Sequence, residues 1–134
     1  YDITIAAAAA ADFFVENPPF VKLPSHQEHK ITLKPTPKIV KRIKENYPNV
    51  FLVGFKASFN VSNEELINSA YDLMKKTNMD LIVANDVGRV GCGFGSDYNE
   101  VFIVNSNKKY IHLPLSPKLE IAKKIFDIAV EHLK

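Results

Sequence analysis

The chain has 134 residues, enough for one domain with a sizeable hydrophobic core. Hydrophobic residues make up 46% and charged residues 24%, as in ordinary soluble globular proteins, and the net charge of +2 is too small to indicate nucleic-acid binding. A single cysteine excludes an internal disulfide, and no apolar run reaches the roughly 18 residues that a membrane-spanning helix needs. We therefore expect a cytoplasmic protein without nucleic-acid or membrane partners.

The first part of the chain predicts a strand followed by a long flap. Residues 3–8 begin with β-branched side chains and run into six consecutive alanines, which predicts a buried strand, although alanine by itself favours a helix. Residues 12–30 hold prolines and histidines without periodicity, and loops longer than about 12 residues are usually functional or disordered. The chain opens on its first strand without an initiator methionine, which is typical of a fragment.

A short strand over residues 31–34 is followed by Thr36-Pro37, the pattern of a helix N-terminus. It predicts a helix to about residue 46, with Thr36 as the N-cap and Pro37 at the first helical position. Ser62 and Glu65 form a capping box and predict a second helix to about residue 77. The remaining predicted elements are strands over residues 50–55, 80–84, 100–105 and 109–113 and a helix over 118–133.

The last helix shows one apolar face with helical spacing. The order of elements predicts an α/β protein: a three-layer, Rossmann-like fold with a mostly parallel sheet, a C-terminal edge hairpin and a long flap. Residues 1–134 form a single domain in this interpretation. The predicted apolar face comprises Leu119, Ala122, Ile125, Phe126, Ala129 and Leu133, broadened by Ile121 and Ile128.

Two polar residues, Asn85 and Asp86, follow the apolar strand over residues 80–84. Ligands bind at the carboxyl ends of strands in open α/β sheets, although this pair could equally close the turn into the next loop. That loop, residues 88–99, contains four glycines, but a strand follows it, so it does not match a dinucleotide-binding fingerprint. His26 and His29 have no acidic cluster beside them, and we expect no protein metal site.

Seven segments, in this order and spacing, resemble the C-terminal part of phosphopantothenate–cysteine ligase, the synthetase half of the bifunctional coenzyme A biosynthesis flavoprotein (the DNA/pantothenate metabolism flavoprotein family). The resemblance covers nearly the whole chain. It implies that residues 1–134 are the C-terminal portion of a larger synthetase domain. The segments are residues 8–12, 22–23, 33–39, 53–57, 80–87, 94–99 and 113–118.

The resemblance implies a two-step ligation in coenzyme A biosynthesis. The carboxylate of 4′-phosphopantothenate attacks the α-phosphate of CTP, giving an acyl-cytidylate and pyrophosphate. The amine of cysteine then attacks the acyl group and releases CMP. CTP is therefore the expected nucleotide, with ATP as the open alternative, and Mg²⁺ would arrive with the triphosphate because no protein carboxylate cage is evident.

The resemblance also implies roles for individual residues. Asp12 stands at the position of an acid on the nucleotide, next to the small side chain of Ala8, although it could instead cap the following loop. Lys22 stands at the position of a lysine that contacts the nucleotide, and we assign it the catalytic role of offsetting charge on the phosphates. An ordinary solvated lysine is the alternative. Phe55 matches an aromatic residue beside the base, unless it is simply a core residue.

Two segments depart from the family pattern. Residues Thr36, Pro37, Lys38 and Ile39 stand where many members have Asn-Pro-Asp-Ile, so a threonine replaces an amide and a lysine reverses a charge. This segment is predicted to contact the nucleotide, with a plain helix cap as the alternative. Leu73 and Thr77 occupy positions where many members have lysine, and neighbouring Lys75 or Lys76 is predicted to contact the phosphates instead. A solvated helix end explains these two lysines equally well.

The family's glycine- and serine-rich loop, which handles the acyl intermediate, has no counterpart in this sequence. We therefore expect this chain alone to be inactive and an N-terminal half, or a decarboxylase domain, to complete it. A non-catalytic nucleotide-binding or protein-interaction module of the same fold is the alternative. The resemblance further implies a homodimer, and the hairpin offers an apolar edge for it through Val101, Ile103, Tyr110 and Ile111.

Overall fold

The structure is a computed structural model that describes residues 1–93 and 95–133. Phe94, which the glycine-rich segment includes, lies outside the described residues. The chain divides into two compact units. The larger unit comprises Tyr1–Ala7 and the chain from Val40 onward, and the smaller one comprises Ala8–Ile39, which we call the arm.

Seven strands and three helices make up the described chain. The strands are β1 (Ile3–Ala6), β2 (Phe13–Val15), β3 (Leu33–Pro35), β4 (Phe51–Ser58), β5 (Leu81–Asp86), β6 (Tyr98–Asn105) and β7 (Tyr110–Pro117), and the helices are α1 (Ile39–Asn46), α2 (Asn63–Thr77) and α3 (Lys118–Glu131).

The larger unit is built on a five-stranded sheet in the order β1-β4-β5-β6-β7. Strands β1, β4 and β5 are parallel, whereas β6 and β7 form an antiparallel hairpin at the edge. Parallel neighbours need a crossover connection, and α2 supplies it between β4 and β5. This arrangement confirms the predicted α/β, Rossmann-like class with its C-terminal edge hairpin.

The core has one cluster on each face of the sheet. Successive side chains of a strand point to opposite faces, so Leu52 and Ile82 pack with α2 while Val53 and Val83 pack with α3. All four side chains are at most 1% exposed. Burial on both faces explains why β4 and β5 are continuous apolar runs in the sequence.

Helix α2 begins and ends where its sequence requires. The Ser62 hydroxyl accepts a hydrogen bond from the Glu65 N–H at 3.2 Å, and a Glu65 carboxylate oxygen accepts from the Ser62 N–H at 2.9 Å, so the predicted capping box is confirmed. Asn78 ends the helix in the left-handed region with φ of 54°. Met79 then fills the space beside Gly54, where a Cβ atom would lie 2.2 Å from the Met79 sulfur.

The predicted N-terminus of α1 was wrong. The helix begins at Ile39, so Thr36 is not its N-cap and Pro37 is not its first helical residue. The Thr36 N–H instead donates to the Asp12 carbonyl at 2.9 Å, which continues the pairing of β2 with β3. Backbone pairing at this point therefore overrides the local helix-start pattern.

The apolar face predicted for α3 was only partly right. Ile121, Ile125 and Ala129 are buried against the sheet, but Leu119 is 66% exposed and Phe126 is 53% exposed. The helix lies on the sheet along a neighbouring stripe, because the sequence carries apolar residues on more of its circumference than one sheet contact can bury. Leu133 and Ala122 are exposed as well.

The arm contains its own two-stranded antiparallel ladder of β2 and β3, a pairing that the flap interpretation did not include. Ion pairs join Glu16 to Lys34 and Asp12 to Lys38. None of the arm's residues is buried within the structure. The large apolar side chains that it exposes are Phe13, Phe14, Val15, Phe20, Val21, Leu23, Ile31, Leu33 and Ile39.

Candidate functional site

Phe55 forms part of a cleft where the sheet meets α3. Its side chain is 41% exposed and follows Phe51 and Val53 on the α3 face of β4, so it is not a core residue. The cleft has a volume of about 200 Å³ and lies toward the carboxyl ends of β4 and β5, where open α/β sheets bind ligands. Its lining comprises Phe55, Val83, Asn85, Asn99, Val101, Lys118, Ile121, Ala122 and Ile125.

The lining of the cleft is apolar except for two amides and one ammonium group. Asn85 follows Val83 on the α3 face of β5, and Asn99 precedes Val101 on the same face of β6. Lys118 is the first residue of α3. Sequence reasoning singled out Phe55 and Asn85 but missed Asn99 and Lys118, because only the antiparallel return of β6 and the position of α3 bring them to the cleft.

Asp86 is the buried polar centre of the sheet's carboxyl edge, with 3% of its surface exposed. Its carboxylate accepts hydrogen bonds from the N–H groups of Asn60 at 2.9 Å, Val61 at 3.0 Å and Gly88 at 2.9 Å. It therefore joins the end of β5 to the segment that leads into α2 and to the start of the glycine loop. Asn85 and Asp86 were predicted as a pair that could bind a ligand, but only Asn85 faces the cleft. The Asp86 carboxylate binds backbone N–H groups instead.

The environment of Asp86 shifts the pKa of its carboxyl in two opposing directions. Burial raises that pKa, but the hydrogen bonds from Gly88, Val61 and Asn60 and the charge of Arg89 outweigh burial, so the pKa lies below its ordinary value. The carboxylate is consequently ionised at neutral pH, which is the state that accepts three N–H groups.

Arg89 connects the glycine loop to the hairpin. Its guanidinium donates to Glu100 at 2.8 Å, and the same Glu100 oxygen lies 2.7 Å from Nε2 of His112. The His112 ring stacks on Phe102 with centroids 4.4 Å apart. Both partners of His112 lie on β6, so no local pattern in the sequence marks this histidine. These contacts fix the start of the loop on the α2 face of the sheet, opposite to the face that carries the cleft.

The arm brings together Asp12 and Lys38, two residues of the predicted nucleotide set. The Lys38 ammonium donates to the Asp12 carboxylate, and this hydrogen bond and the lysine's charge hold the pKa of that carboxyl below its ordinary value. Thr36 lies beside them through its backbone bond to Asp12. The lysine that replaces the family's acid thus pairs with the predicted nucleotide acid, so the charges of the two residues compensate.

The other predicted residues of the arm are exposed, and all except Ile39 lie outside helices and strands. Ala8 follows β1, which ends at Ala6, and Lys22 lies between β2 and β3. Pro37 and Ile39 flank Lys38, with Ile39 as the first residue of α1. His29 contacts the Pro24 carbonyl at 2.7 Å within the same segment.

Lys75 and Lys76 lie in the last turn of α2, shortly before β5 begins. They are therefore near the amino end of β5, whereas the cleft lies toward its carboxyl end. Helix α2 also packs on the face of the sheet opposite to Phe55. The Lys75 ammonium lies 4.8 Å from the centre of the Tyr71 ring. Within one copy of the chain, the structure does not bring this lysine pair together with Phe55.

Within residues 1–93 and 95–133, no group of three histidine, cysteine, aspartate or glutamate side chains could hold a metal ion. None of the helices in that part of the chain combines the length and apolar character needed to cross a membrane.

Comparison with known proteins places the chain in a family. The family model of the DNA/pantothenate metabolism flavoprotein C-terminal domain matches residues 1–133. The chain belongs to this family. One relative of this chain is the coenzyme A biosynthesis bifunctional protein CoaBC of Thermococcus kodakarensis. The two sequences are 44% identical over 129 residues. The match covers 95% of this chain and 30% of that relative, so the chain spans less than a third of its length.

Two solved structures of related proteins are similar to this chain. The C-terminal domain of a coenzyme A biosynthesis bifunctional protein CoaBC is 31% identical with a TM-score of 0.65, and the match covers 98% of this chain and 57% of that one. The DNA/pantothenate metabolism flavoprotein from Streptococcus pneumoniae has a TM-score of 0.80 at 24% identity, with 98% of this chain and 64% of that one covered. The latter likeness supports the fold.

Proposed function

We propose that this chain is the nucleotide-binding part of a phosphopantothenoylcysteine synthetase, which joins cysteine to 4′-phosphopantothenate in coenzyme A biosynthesis. The observation that carries the proposal is the cleft toward the carboxyl ends of β4 and β5, with Phe55 exposed in it, in a chain that belongs to the DNA/pantothenate metabolism flavoprotein C-terminal domain family. An exposed aromatic face stacks on a nucleobase, and this edge of an α/β sheet suits a nucleotide.

In the proposed reaction a carboxylate attacks the α-phosphate of the nucleotide and is thereby activated for the second step. The carboxylate of 4′-phosphopantothenate forms a bond to the α-phosphorus of CTP while the bond to the pyrophosphate oxygen breaks. The cysteine amine then attacks the acyl carbon and CMP leaves. Cations must offset charge on the phosphates as each leaving group departs. Since the described residues form no carboxylate cluster, Mg²⁺ would be held by the triphosphate itself and enter with it.

The residues proposed to contact a nucleotide are given for each unit by itself. In the larger unit we propose that Phe55, exposed in the cleft, stacks on the base. In the arm the family resemblance supports contacts from Asp12, Lys22 and the segment from Thr36 to Ile39, with the small side chain of Ala8 leaving its backbone open to a ligand. Contact of Lys75 or Lys76 with the phosphates stays a prediction; within one copy of the chain, α2 packs on the face of the sheet opposite to Phe55.

Replacement of Lys22 by alanine should weaken binding of Mg²⁺–CTP by about tenfold or more, since a hydrogen bond to a charged group contributes about 1.5–3 kcal/mol. Titration calorimetry measures this change. Lys30→Ala is the matched control, because Lys30 is an exposed lysine in the same arm. Equal affinity of Lys22→Ala and the unmodified chain would remove Lys22 from the site.

We further propose that the chain forms a homodimer. The apolar edge predicted for the hairpin was only partly right, because Val101 and Ile103 are buried under α3, each 2% exposed. Of the four predicted residues, Tyr110 and Ile111 are exposed. The arm offers a stronger reason. Its exposed phenylalanines lie on and near a ladder of two short strands, which is marginally stable by itself.

Sedimentation equilibrium should therefore give twice the chain mass of 15.1 kDa at micromolar concentration. The double variant Phe13→Ser/Phe14→Ser should shift the equilibrium toward the monomer, since both side chains are exposed on β2. Phe126→Ser is a control with a similarly exposed phenylalanine on α3. A mass of 15.1 kDa alone for the unmodified chain contradicts the dimer.

A further inference from the structure

Strand β7 is an open edge of the five-stranded sheet. In the part of the chain that the structure describes it pairs only with β6, at one end of the strand order. The Asn105 N–H donates to the Lys109 carbonyl at 3.0 Å, which makes these two residues a hydrogen-bonded pair. Because such pairs alternate along an antiparallel ladder, the backbone groups of Ile111 face β6, whereas those of Tyr110 and His112 face away from the sheet. They are therefore available to a further strand.

The first half of this edge lacks the usual protection against strand addition. Natural edge strands are commonly blunted by charged side chains, prolines or bulges. Strand β7 contains no lysine, arginine, aspartate or glutamate, and its first proline is Pro114. Tyr110 is 53% exposed and Ile111 is 43% exposed, so apolar surface is open on both faces of the strand. Residues 110–113 therefore offer a short unprotected edge to an extended partner.

A groove beside the same edge can accept a side chain of the partner. It lies between α2 and the start of β7 and has a volume of about 340 Å³. An added strand directs alternate side chains to this face of the sheet, so one of them would lie in the groove. The lining comprises Asn63, Glu64, Ile67, Asn68, Lys108 and Tyr110.

The hairpin turn brings positive charge to this edge. Lys108 and Lys109 are exposed and directly precede β7. The Lys108 ammonium lies 5.6 Å from the centre of the Tyr71 ring, and the Lys75 ammonium lies 4.8 Å from the same centre. Within residues 1–93 and 95–133, no acidic side chain forms an ion pair with these three lysines. Glu64, in the first turn of α2, is the one acidic residue of the groove lining.

We propose that the β7 edge binds an extended acidic segment of another protein, which adds to the sheet antiparallel to β7 and places its acidic C-terminal end beside Lys108 and Lys109. Main-chain hydrogen bonds with Tyr110 and His112 hold the segment, as in other cases of strand addition. The free lysines at the start of β7 select the acidic partner. A second copy of β7 is a poorer match, because β7 itself carries no acidic residue. This surface does not depend on the binding of a nucleotide.

The first test uses the unmodified chain and a short synthetic peptide of alternating threonine and valine that ends in two glutamates. Addition of this peptide should shift the NMR signals of the Tyr110 and His112 amides and slow the exchange of their hydrogens with solvent. The amides of Ile111 and Leu113 are internal controls for exchange, because they already face β6. N-methylation of the central residues of the peptide removes its N–H donors and should abolish binding.

The second test reverses the charge on each side. Lys108→Glu/Lys109→Glu should weaken binding of the glutamate peptide about fivefold or more, because attraction becomes repulsion. The same variant should bind more tightly a peptide that ends in two lysines. Lys123→Glu/Lys124→Glu is the matched control, because it makes the same change of charge on α3, which packs on the other face of the sheet.

Each result supports or overturns the inference. If the glutamate peptide leaves the Tyr110 and His112 signals unchanged, or if the N-methylated peptide binds equally well, strand addition at β7 is wrong. Equal binding of the glutamate and lysine peptides overturns the acidic partner. If the two amides are protected before peptide is added and lose that protection on dilution, a second copy occupies the edge instead. A DNA oligonucleotide that shifts these signals when the glutamate peptide does not would also overturn the inference.

Discussion

Residues 1–134 alone should release no measurable pyrophosphate from CTP in the presence of Mg²⁺, 4′-phosphopantothenate and cysteine. The proposed site supplies groups for a base and for phosphates, but the glycine- and serine-rich segment that the family resemblance implies for the acyl intermediate has no counterpart in residues 1–134. A carboxylate that is not oriented against the α-phosphate loses the advantage of an intramolecular reaction. That advantage corresponds to effective molarities of about 10⁵ M or more, so the expected loss of rate is about five orders of magnitude.

Binding and turnover must be measured on the same sample. Titration calorimetry with Mg²⁺–CTP should show a folded, binding-competent chain while the pyrophosphate assay stays at background. Addition of the upstream half as a separate polypeptide should raise the rate if the two pieces associate. Sustained turnover by residues 1–134 without that addition would show that this chain already contains the complete catalytic site.

Asp86→Asn should be among the most destabilising single polar substitutions in the described chain. The change removes the charge and places an NH₂ group where a carboxylate oxygen now accepts from a backbone N–H, in a residue that is 3% exposed. The melting temperature should fall by several degrees, as expected for a domain of this size that loses buried hydrogen bonds. Asp72→Asn is the control, because Asp72 is exposed on α2.

The same carboxylate predicts how stability depends on pH. Because the folded pKa of Asp86 is below its ordinary value, its contribution to stability is complete above the pKa of an unfolded aspartate, about 3.9. It is lost as the pH falls through the lower pKa of the folded state. Melting curves should therefore show that the difference between the unmodified chain and Asp86→Asn shrinks below about pH 4. A difference that stays constant down to pH 2 would contradict this role.

The elements that the sequence predicted correctly are those fixed by local chemistry or by burial on both faces. The capping box of Ser62 and Glu65 determines where α2 begins, and the apolar run of β5 can only lie inside a covered sheet. The start of α1 was wrong because Thr36 finds a backbone partner in β2, a strand of three residues that leaves no periodic pattern. Pairing between distant segments outweighs a local helix signal there.

Two residues of the cleft were singled out from the sequence, Asn85 by the strand-end rule and Phe55 by the family resemblance. They lie on neighbouring parallel strands, so their positions near the carboxyl edge follow from the order of elements. Asn99 and Lys118 reach the same cleft from the antiparallel strand β6 and from α3. Their position depends on the register of the hairpin and on which stripe of α3 is buried, and the exposure of Leu119 and Phe126 indicates that several stripes were available.

The arm between β1 and α1 has a consequence for the order in which the chain folds. The pairing of Ile3 with Phe51 closes a loop that contains the whole arm, whereas β4, α2, β5 and the hairpin follow one another with short connections. The entropy lost on loop closure grows with loop length, and hairpins form within microseconds. The contiguous part of the sheet can therefore assemble first, and β1 would be the last strand to join it and the first to detach.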